Sequence, residues 1–364
     1  MLGTLNVTEN WRIVDTGLRA PAQNIALNRA LLEARRAKEI PGTLRFQRFA
    51  PCALLGNRQS AAQEFDLDYC HANRITIQRR ITGGSAIYCD ENQVGWELYL
   101  HEGDVGTTEM RAISRRICHA AATAISALGI DARYRARGDI VVDGRRICSA
   151  AGAFDGDALL FQGMVHIDLD VEKMLHVMHL CPEQYSDKTI AHARERVVGL
   201  KELLGPKIDA LRVKENIAEA FGSEFDVEFS EGELTLSEHA RYEAALREID
   251  TPDWVNLIAR PAAAVPVLEA QREIAGALLQ ARVALDTTSF VVRQVMFHAD
   301  VRIVPRSAVP DLEAGLLDVP LDQLEARVHA FFRDHRVEMP PLAPADFIEV
   351  VRQAVGAASV IKIK

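Results

Sequence analysis

The chain has 364 residues, 48% of them hydrophobic and 26% charged, an ordinary globular balance that allows a sizeable core and argues against long disorder. Its formal net charge of −9 argues against non-specific binding to nucleic acid or to an acidic membrane surface. The length fits two domains.

Six cysteines, Cys52, Cys70, Cys89, Cys118, Cys148 and Cys181, are widely spaced with no C-x-x-C pair, which disfavours a zinc cluster or a thioredoxin-type motif. The N-terminal residues lack the basic and apolar regions of a signal peptide. No apolar run approaches the ~20 residues of a membrane span. Reduced thiols and a cytoplasmic location are therefore expected. Arginine outnumbers lysine 34 to 8, and residues 39–172 contain no lysine.

In chain order, residues 20–38 carry Ile25, Leu27, Leu31 and Leu32 at helical spacing, and Pro41-Gly42 ends that helix. Leu44 to Phe49 alternates as a half-buried strand does, and Cys52 to Leu55 forms a second short strand. Phe65 to Asn73 reads as a helix and Ile75 to Gln78 as a strand. That strand runs into Arg79-Arg80-Ile81-Thr82-Gly83-Gly84-Ser85-Ala86-Ile87-Tyr88-Cys89-Asp90. Paired glycines let a backbone approach a ligand closely, and arginines suit an anionic group. The stretch points to a molecule with an acidic head and an apolar body.

Trp96 to Leu100 is another alternating strand, and residues 109–128 form an amphipathic helix through Ile113, Ile117, Ala121 and Ile125. Asp139 to Cys148 reads as a hairpin turning at Asp143-Gly144. Leu159 to Leu169 is a strand and 171–178 begins a helix. Arg133, Arg135, Arg137, Arg145 and Arg146 make a local basic cluster, which a solvated face would also explain. Antiparallel strands with helices on one side indicate an α+β domain, here 1–255. A linker at 256–266 follows, then a small α+β unit, 267–364, with strands near 275–286 and 289–304 and helical segments at Val309–Leu316 and Leu321–His335.

Several of these stretches resemble, in order, the lipoate–protein ligases of the biotin/lipoate ligase and octanoyltransferase superfamily. The Arg79–Asp90 stretch is similar to the family's Arg-Arg, Ser/Thr, glycine-run and His-Asp block. Ala136 to Gly144 resembles its Gly-Arg-Asn-Asp block, and Arg146-Ile147-Cys148-Ser149-Ala150-Ala151 its Lys-Ile-Ser-Gly-Ser-Ala strand. Gln162 to Asp170 is similar to its His-Gly step and following strand, and Lys188 to Leu200 matches more loosely, with Arg194, Arg196 and Val197 in register. Val291 to Phe332 resembles the accessory domain of many such ligases.

The resemblance implies a mixed, largely antiparallel α+β catalytic domain. It implies ATP-dependent, Mg²⁺-dependent activation of lipoate as an acyl-adenylate, and transfer to a lysine of a lipoyl-domain protein. That acceptor would be a 2-oxoacid dehydrogenase E2, a glycine-cleavage H protein or another lipoate-binding protein. Gly83 and Gly84 would line the acyl tunnel, with Arg80, Thr82, Ser85, Ala86, Arg137, Ser149, Ala151, Gln162 and Gly163 as substrate contacts. Asp139 would hold the nucleotide or Mg²⁺. The family lysine is Arg146 here, the Asn before Asp139 is Gly138, the His before Asp90 is Cys89, and the His-Gly step is Gln162-Gly163. His166, Trp96 and Tyr99 read as structural. Two alternatives stay open. One is octanoyl transfer through a cysteine, for which Cys148 is the candidate because two-residue spacing would put it on the face of Arg146. The other is a non-catalytic lipoate- or lipoyl-domain-binding protein.

Overall fold

The structure, a computed structural model, describes residues 9–135, 138–178, 187–257, 265–299, 301, 303–305 and 308–361. The chain divides into two units, 1–108 with 112–258 and 109–111 with 259–364.

The first unit begins with β1 (Glu9–Arg19), α1 (Pro21–Arg36), β2 (Thr43–Phe49), β3 (Cys52–Leu55), α2 (Ala61–Glu64), α3 (Leu67–Ala72), β4 (Thr76–Arg79), β5 (Ile87–Cys89) and β6 (Gln93–His101). It continues with α4 (Glu102–Val105), α5 (Met110–Ser126), β7 (Ala132–Arg135), β8 (Asp139–Val142), β9 (Arg145–Asp155) and β10 (Ala158–His166). Helices α6 (Val171–Val177), α7 (Asp187–Arg194), α8 (Leu200–Leu204) and α9 (Ala210–Phe225) lead to β11 (Val227–Glu231), α10 (Leu236–Ile249) and α11 (Pro252–Val255). Eight strands form one sheet in the order β11-β1-β2-β6-β10-β9-β8-β7, and β4-β3-β5 form a smaller one. Pairing is antiparallel except for β1 with β11 and β2, and β3 with β4. The fold is a mixed, largely antiparallel α+β arrangement.

The large sheet has helices on both faces, not one. Side chains alternate along a strand. Trp96 and Tyr99 of β6 therefore point oppositely: Trp96 meets Phe221 of α9 edge-on, while the Tyr99 hydroxyl accepts a bond from Asn28 of α1 at 2.9 Å. This double cover also corrects the reading of β2 and β6 as half-exposed. Every residue of β2 but Arg48 is buried, and every residue of β6 but His101. Arg45, Glu97 and Tyr99 go inward because they satisfy one another. Arg45 donates to Glu97 Oε2 at 2.9 Å and to Asn24 Oδ1 at 2.5 Å, and the Tyr99 hydroxyl donates to Glu97 Oε2 at 2.6 Å. Arg45 is 0% and Glu97 2% exposed. A buried charge is tolerated only when paired and hydrogen-bonded in this way.

The apolar face of the same sheet packs closely enough to dictate small residues. A Cβ on Gly163 would come within 2.2 Å of the Trp96 ring, and one on Gly152 within 2.4 Å of Phe161.

The second unit is an antiparallel sheet, β12 (Val267–Ile274), β13 (Ala277–Asp286), β14 (Val291–Ala299) and β15 (Val319–Pro320). Its helices are α12 (Ala308–Gly315), α13 (Leu324–Asp334) and α14 (Pro344–Ile361). Leu279, Val283, Phe297, Leu312, Phe347 and Val351 lie in its core. Residues 258–264 of the expected linker lie outside the described residues.

Removing one partner of a buried ion pair strands the other charge, at about 3–5 kcal/mol. Glu97→Ala is expected to destabilise the first unit by that amount in urea unfolding followed by tryptophan fluorescence. A loss below about 1 kcal/mol would contradict the assignment of this pair as a buried, interdependent network.

Candidate functional site

The small sheet carries the Arg79–Asp90 stretch. Both arginines are buried and their guanidinium groups face backbone carbonyls. Arg79 donates to Gly56 and Asn57 oxygens at 3.1 and 3.0 Å and to Trp254 and Val255 oxygens at 3.1 and 2.6 Å. Arg80 donates to the Leu54, Gly83 and Ser85 oxygens at 3.0, 3.0 and 2.9 Å. Burial without a carboxylate partner pulls both guanidinium pKa values down to about 10. The expectation that Arg80 meets a ligand acid is thus corrected: in this structure it shapes the loop that contains Gly83, Gly84 and Ser85. Gly84 and Ser85 of that loop are exposed and Ala86 is partly buried. Gly56, which the sequence marks only as the end of the Cys52–Leu55 strand, is needed there, since a Cβ on it would sit 2.1 Å from the Gly84 carbonyl oxygen.

The hairpin supplies the second wall. Asp143 and Gly144 take φ of 49° and 80°, the left-handed pair that a tight turn between twisted strands requires. The pairing then slips: Ile140 faces Cys148, but Val141 faces Arg146. Ile147 is the extra residue of a bulge, and a bulge reverses the alternation beyond it. Arg146 therefore shares a face with Asp139, Val141 and Ser149, while Cys148 turns to the opposite, apolar face with Ile140. Sequence spacing missed this because two-residue periodicity assumes an unbroken ladder.

The consequence for Cys148 is direct. It is 0% exposed, and burial, followed by the nearby Cys118, pushes its thiol well above the usual range. Cys118 is likewise pushed up to about 12, chiefly by burial. Neither sits as a reactive thiolate does, so the candidacy of Cys148 as nucleophile is corrected to a core cysteine.

Arg146 is 42% exposed along its side chain, and its Nη1 lies 3.6 Å from Asp139 Oδ1. Asp139 also accepts from Arg135 Nη2 at 2.8 Å. The backbone of Arg146 is fixed by the segment similar to the family's fifth block: its amide donates to the Arg196 oxygen at 2.8 Å and its carbonyl accepts from the Val198 amide at 3.0 Å. Gly138, at the family's Asn position, has φ 82°, and a Cβ there would lie 1.9 Å from the Ala150 oxygen. An asparagine does not fit this backbone. Arg137 lies outside the described residues.

Two motif blocks meet across the gap between the sheets. Gln162 Nε2 donates to Thr82 Oγ1 at 3.1 Å. By alternation, Gln162 shares its face of β10 with Met164 and His166, and the pairing carries that face to Ser149 and Ala151 on β9 and to Gln93, Gly95 and Glu97 on β6. Met164 and Ile81 pack on the apolar cluster that holds Cys52, Leu54 and Cys89 of the small sheet and Ile25 of α1. Gly163 points the other way, at Trp96, so it is corrected from a ligand contact to a packing glycine. Lys173, the first lysine after the lysine-free stretch, has its Nζ 6.0 Å from the Tyr88 ring centroid. Tyr88 packs in a different cluster from its strand neighbour Cys89, so Lys173 serves the far face of the small sheet and does not replace the family lysine.

Among the described residues no group of three His, Cys, Asp or Glu is placed to hold a metal. Asp139, the Mg²⁺ candidate, faces two guanidinium groups where a hard cation needs oxygen ligands, so the residues present do not fit Mg²⁺. A hollow of about 300 Å³ lies beside this corner, lined in part by Arg145, Asp168, Arg194, Val197 and Glu202. No helix among the described residues is long and apolar enough to cross a membrane.

Residues 20–222 match the model of the lipoyl protein ligase A/B catalytic domain. The chain belongs to that family. Among curated relatives, the octanoyltransferase LipM of Moorella thermoacetica is 27% identical over 267 residues, covering 68% of this chain and 98% of that protein. Lipoate-protein ligase A subunit 1 of Thermoplasma acidophilum is 28% identical over 222 residues, covering 58% and 83%. In fold, the chain is similar to the bipartite lipoate protein ligase of T. acidophilum, solved in a study that includes its E2 lipoyl domain, with TM-score 0.60, 23% identity, and 70% and 100% of the two chains covered. It is also similar to P. falciparum LipL1 in complex with lipoate, with TM-score 0.65, 13% identity, and 95% and 99% covered. Family membership and the α+β fold are thereby established, while the relatives span two chemistries, ligase and octanoyltransferase.

Because Cys148 is buried and protonated, it is expected to resist iodoacetamide in the folded chain at pH 8 and to react after unfolding, read by peptide mass spectrometry. Rapid labelling of native Cys148 would contradict the core placement.

Proposed function

We propose that this chain is a lipoate–protein ligase that activates lipoate with ATP and passes the acyl group to a lysine of a lipoyl-domain protein. The observation that carries this reading is the pairing of Arg146 with Asp139 on the face shared with Gln162, while Cys148 is turned away into the core. A thiol-dependent transferase needs an accessible, low-pKa cysteine; no residue between Cys118 and Cys148 is a cysteine. Adenylate chemistry needs only positioned groups and positive charge.

The proposed sequence has two steps. A lipoate carboxylate oxygen attacks the α-phosphorus of ATP, and pyrophosphate leaves. The acceptor lysine nitrogen then attacks the acyl carbonyl, loses a proton, and AMP leaves. Negative charge grows on phosphate oxygens in the first step and on the acyl oxygen in the second. Arg146 supplies a fixed cation beside both, a role suited to electrostatic stabilisation. Asp139 holds the guanidinium in place. A planar fork differs from a lysine point charge, so Arg146 can span two oxygens at once. The apolar body of lipoate suits the Met164, Ile81 and Ile87 surface. The T. acidophilum ligase was studied with an E2 lipoyl domain, and an acceptor of that class is proposed here.

Pyrophosphate release with lipoate and ATP, followed by intact-mass measurement of an added apo lipoyl domain, tests this. Arg146→Ala is expected to slow adenylation by about 10²–10³-fold, the usual effect of deleting one charge-stabilising donor, while Cys148→Ala leaves the rate unchanged. ATP-independent transfer from an octanoyl carrier thioester, or no pyrophosphate release from the unmutated chain, would contradict the ligase reading.

A further inference from the structure

The proposed acyl chemistry gives no role to Cys89, which stands where the family block carries histidine. Cys89 ends β5, a strand of three residues, and lies directly opposite Cys52 in the antiparallel β3–β5 ladder. Both side chains pack into the same apolar cluster, while Tyr88 turns into another. Both are free thiols and both are 0% exposed. Opposed residues of an antiparallel pair have Cα atoms about 4.5–5.5 Å apart. That falls inside the window of about 4.4–6.8 Å that a disulfide spans. The two thiols are close enough to hydrogen-bond to each other.

Arg80 supplies a second, independent observation. Its guanidinium is buried without a carboxylate partner, and its charge acts on the sulfur of Cys89 first and on that of Cys52 second. A buried cation favours the ionised form of an acid beside it. The Cys52 thiol is pushed well above its usual range, by burial first and by its hydrogen bond to Cys89 second. Cys52 therefore keeps its proton and donates it toward the Cys89 sulfur. A sulfur flanked by a fixed cation and a thiol donor is placed to react as a thiolate. Cys118 and Cys148 differ, since burial raises both and the charge of Asp139 adds to it.

We propose that Cys52 and Cys89 are a redox-reversible dithiol that closes to a disulfide and locks β5, with the glycine loop leading into it, onto β3. The oxidant is hydrogen peroxide. The Cys89 sulfur, its proton lost, attacks one peroxide oxygen; the O–O bond breaks, hydroxide leaves and takes up a proton, and Cys89 becomes a sulfenic acid. The Cys52 sulfur then attacks the Cys89 sulfur, its proton joins the departing hydroxide as water, and the S–S bond forms. In sum, two thiols and one peroxide give one disulfide and two waters. A dithiol reductant reverses the step by exchange. Before oxidation β5 is an edge strand joined to β3 at three residue pairs, a ladder short enough to open locally. The near side of the loop is tied to β3 by Arg80, whose amide donates to the Leu55 oxygen at 2.9 Å and whose guanidinium donates to the Leu54 oxygen at 3.0 Å. The disulfide ties the far side as well. This lock is independent of which acyl chemistry the site performs.

Peroxide treatment of the reduced, folded full chain tests this, followed by unfolding in N-ethylmaleimide and peptide mass spectrometry. The Cys52 peptide is expected to be linked to the Cys89 peptide, with Cys118 and Cys148 recovered as maleimide adducts and the link removed by dithiothreitol. A Cys52–Cys89 pair that stays reduced, or that oxidises no faster than Cys118 and Cys148, overturns the dithiol. Cys52→Ala should leave Cys89 as a sulfenic acid that dimedone labels, and Cys89→Ala should leave Cys52 largely unlabelled. The reverse preference overturns the assigned order of attack. Hydrogen exchange on the unmutated chain reads the lock without any variant. The amides of β5 should exchange at least about tenfold more slowly in the oxidised form, the result of barring a local opening. Equal exchange in the two forms, with the disulfide present, overturns the lock.

Discussion

A guanidinium and a carboxylate withdrawn from water at the centre of the large sheet set the conditions for everything around them. Arg45 and Glu97 sit on adjacent strands, joined to Asn24, Asn28 and Tyr99. Such a pair is stable only if every remaining donor and acceptor is met. That demand fixes α1 over β2 and β6 through its two asparagines. It also commits one face of the sheet to polar side chains, from Arg45 through Glu97 and Gln162 to Arg146. The opposite face is apolar at its centre, packed by Trp96, Phe161 and Phe221 to the point where Gly163 and Gly152 can carry no Cβ. The site follows from this division of labour between the two faces.

Charge is then distributed by burial rather than by sequence proximity. Arg79 and Arg80, adjacent to the glycine pair, spend their hydrogen bonds on carbonyls and build the loop. Arg146, sixty-odd positions later in the chain, keeps a half-exposed guanidinium near Asp139. Of these three arginines, the one left half-exposed is therefore the one from the hairpin. The relatives include both ligases and octanoyltransferases, and the strand that carries Arg146 turns Cys148 away from it into the core.

Much of the fold was legible because its signals are local. The spacing of Ile113, Ile117 and Ile125 gave α5, and Asp143-Gly144 gave the hairpin. The convergence of Thr82 with Gln162 followed from ordered family blocks. What escaped was non-local. Arg45 reads as the solvated face of a half-buried strand because its partners, Glu97 and Asn24, lie far off in sequence. The bulge at Ile147 is a register event that no single strand reveals, and it separated Arg146 from Cys148. The strand β12 and the helices α9, α10 and α14 were not anticipated, since their apolar stripes are interrupted by charge and their order comes from packing.

The central claim is that one polar sheet face, ending at Arg146, receives the acid head of an acyl ligand whose chain runs toward Met164 and Ile81. A crystal structure of the chain with lipoate bound tests it most directly. The account predicts the carboxylate within hydrogen-bond reach of Arg146 and the dithiolane end against the apolar surface beneath the small sheet. A carboxylate bound by Arg80, or a ligand lodged on the Trp96 side of the sheet, would contradict it.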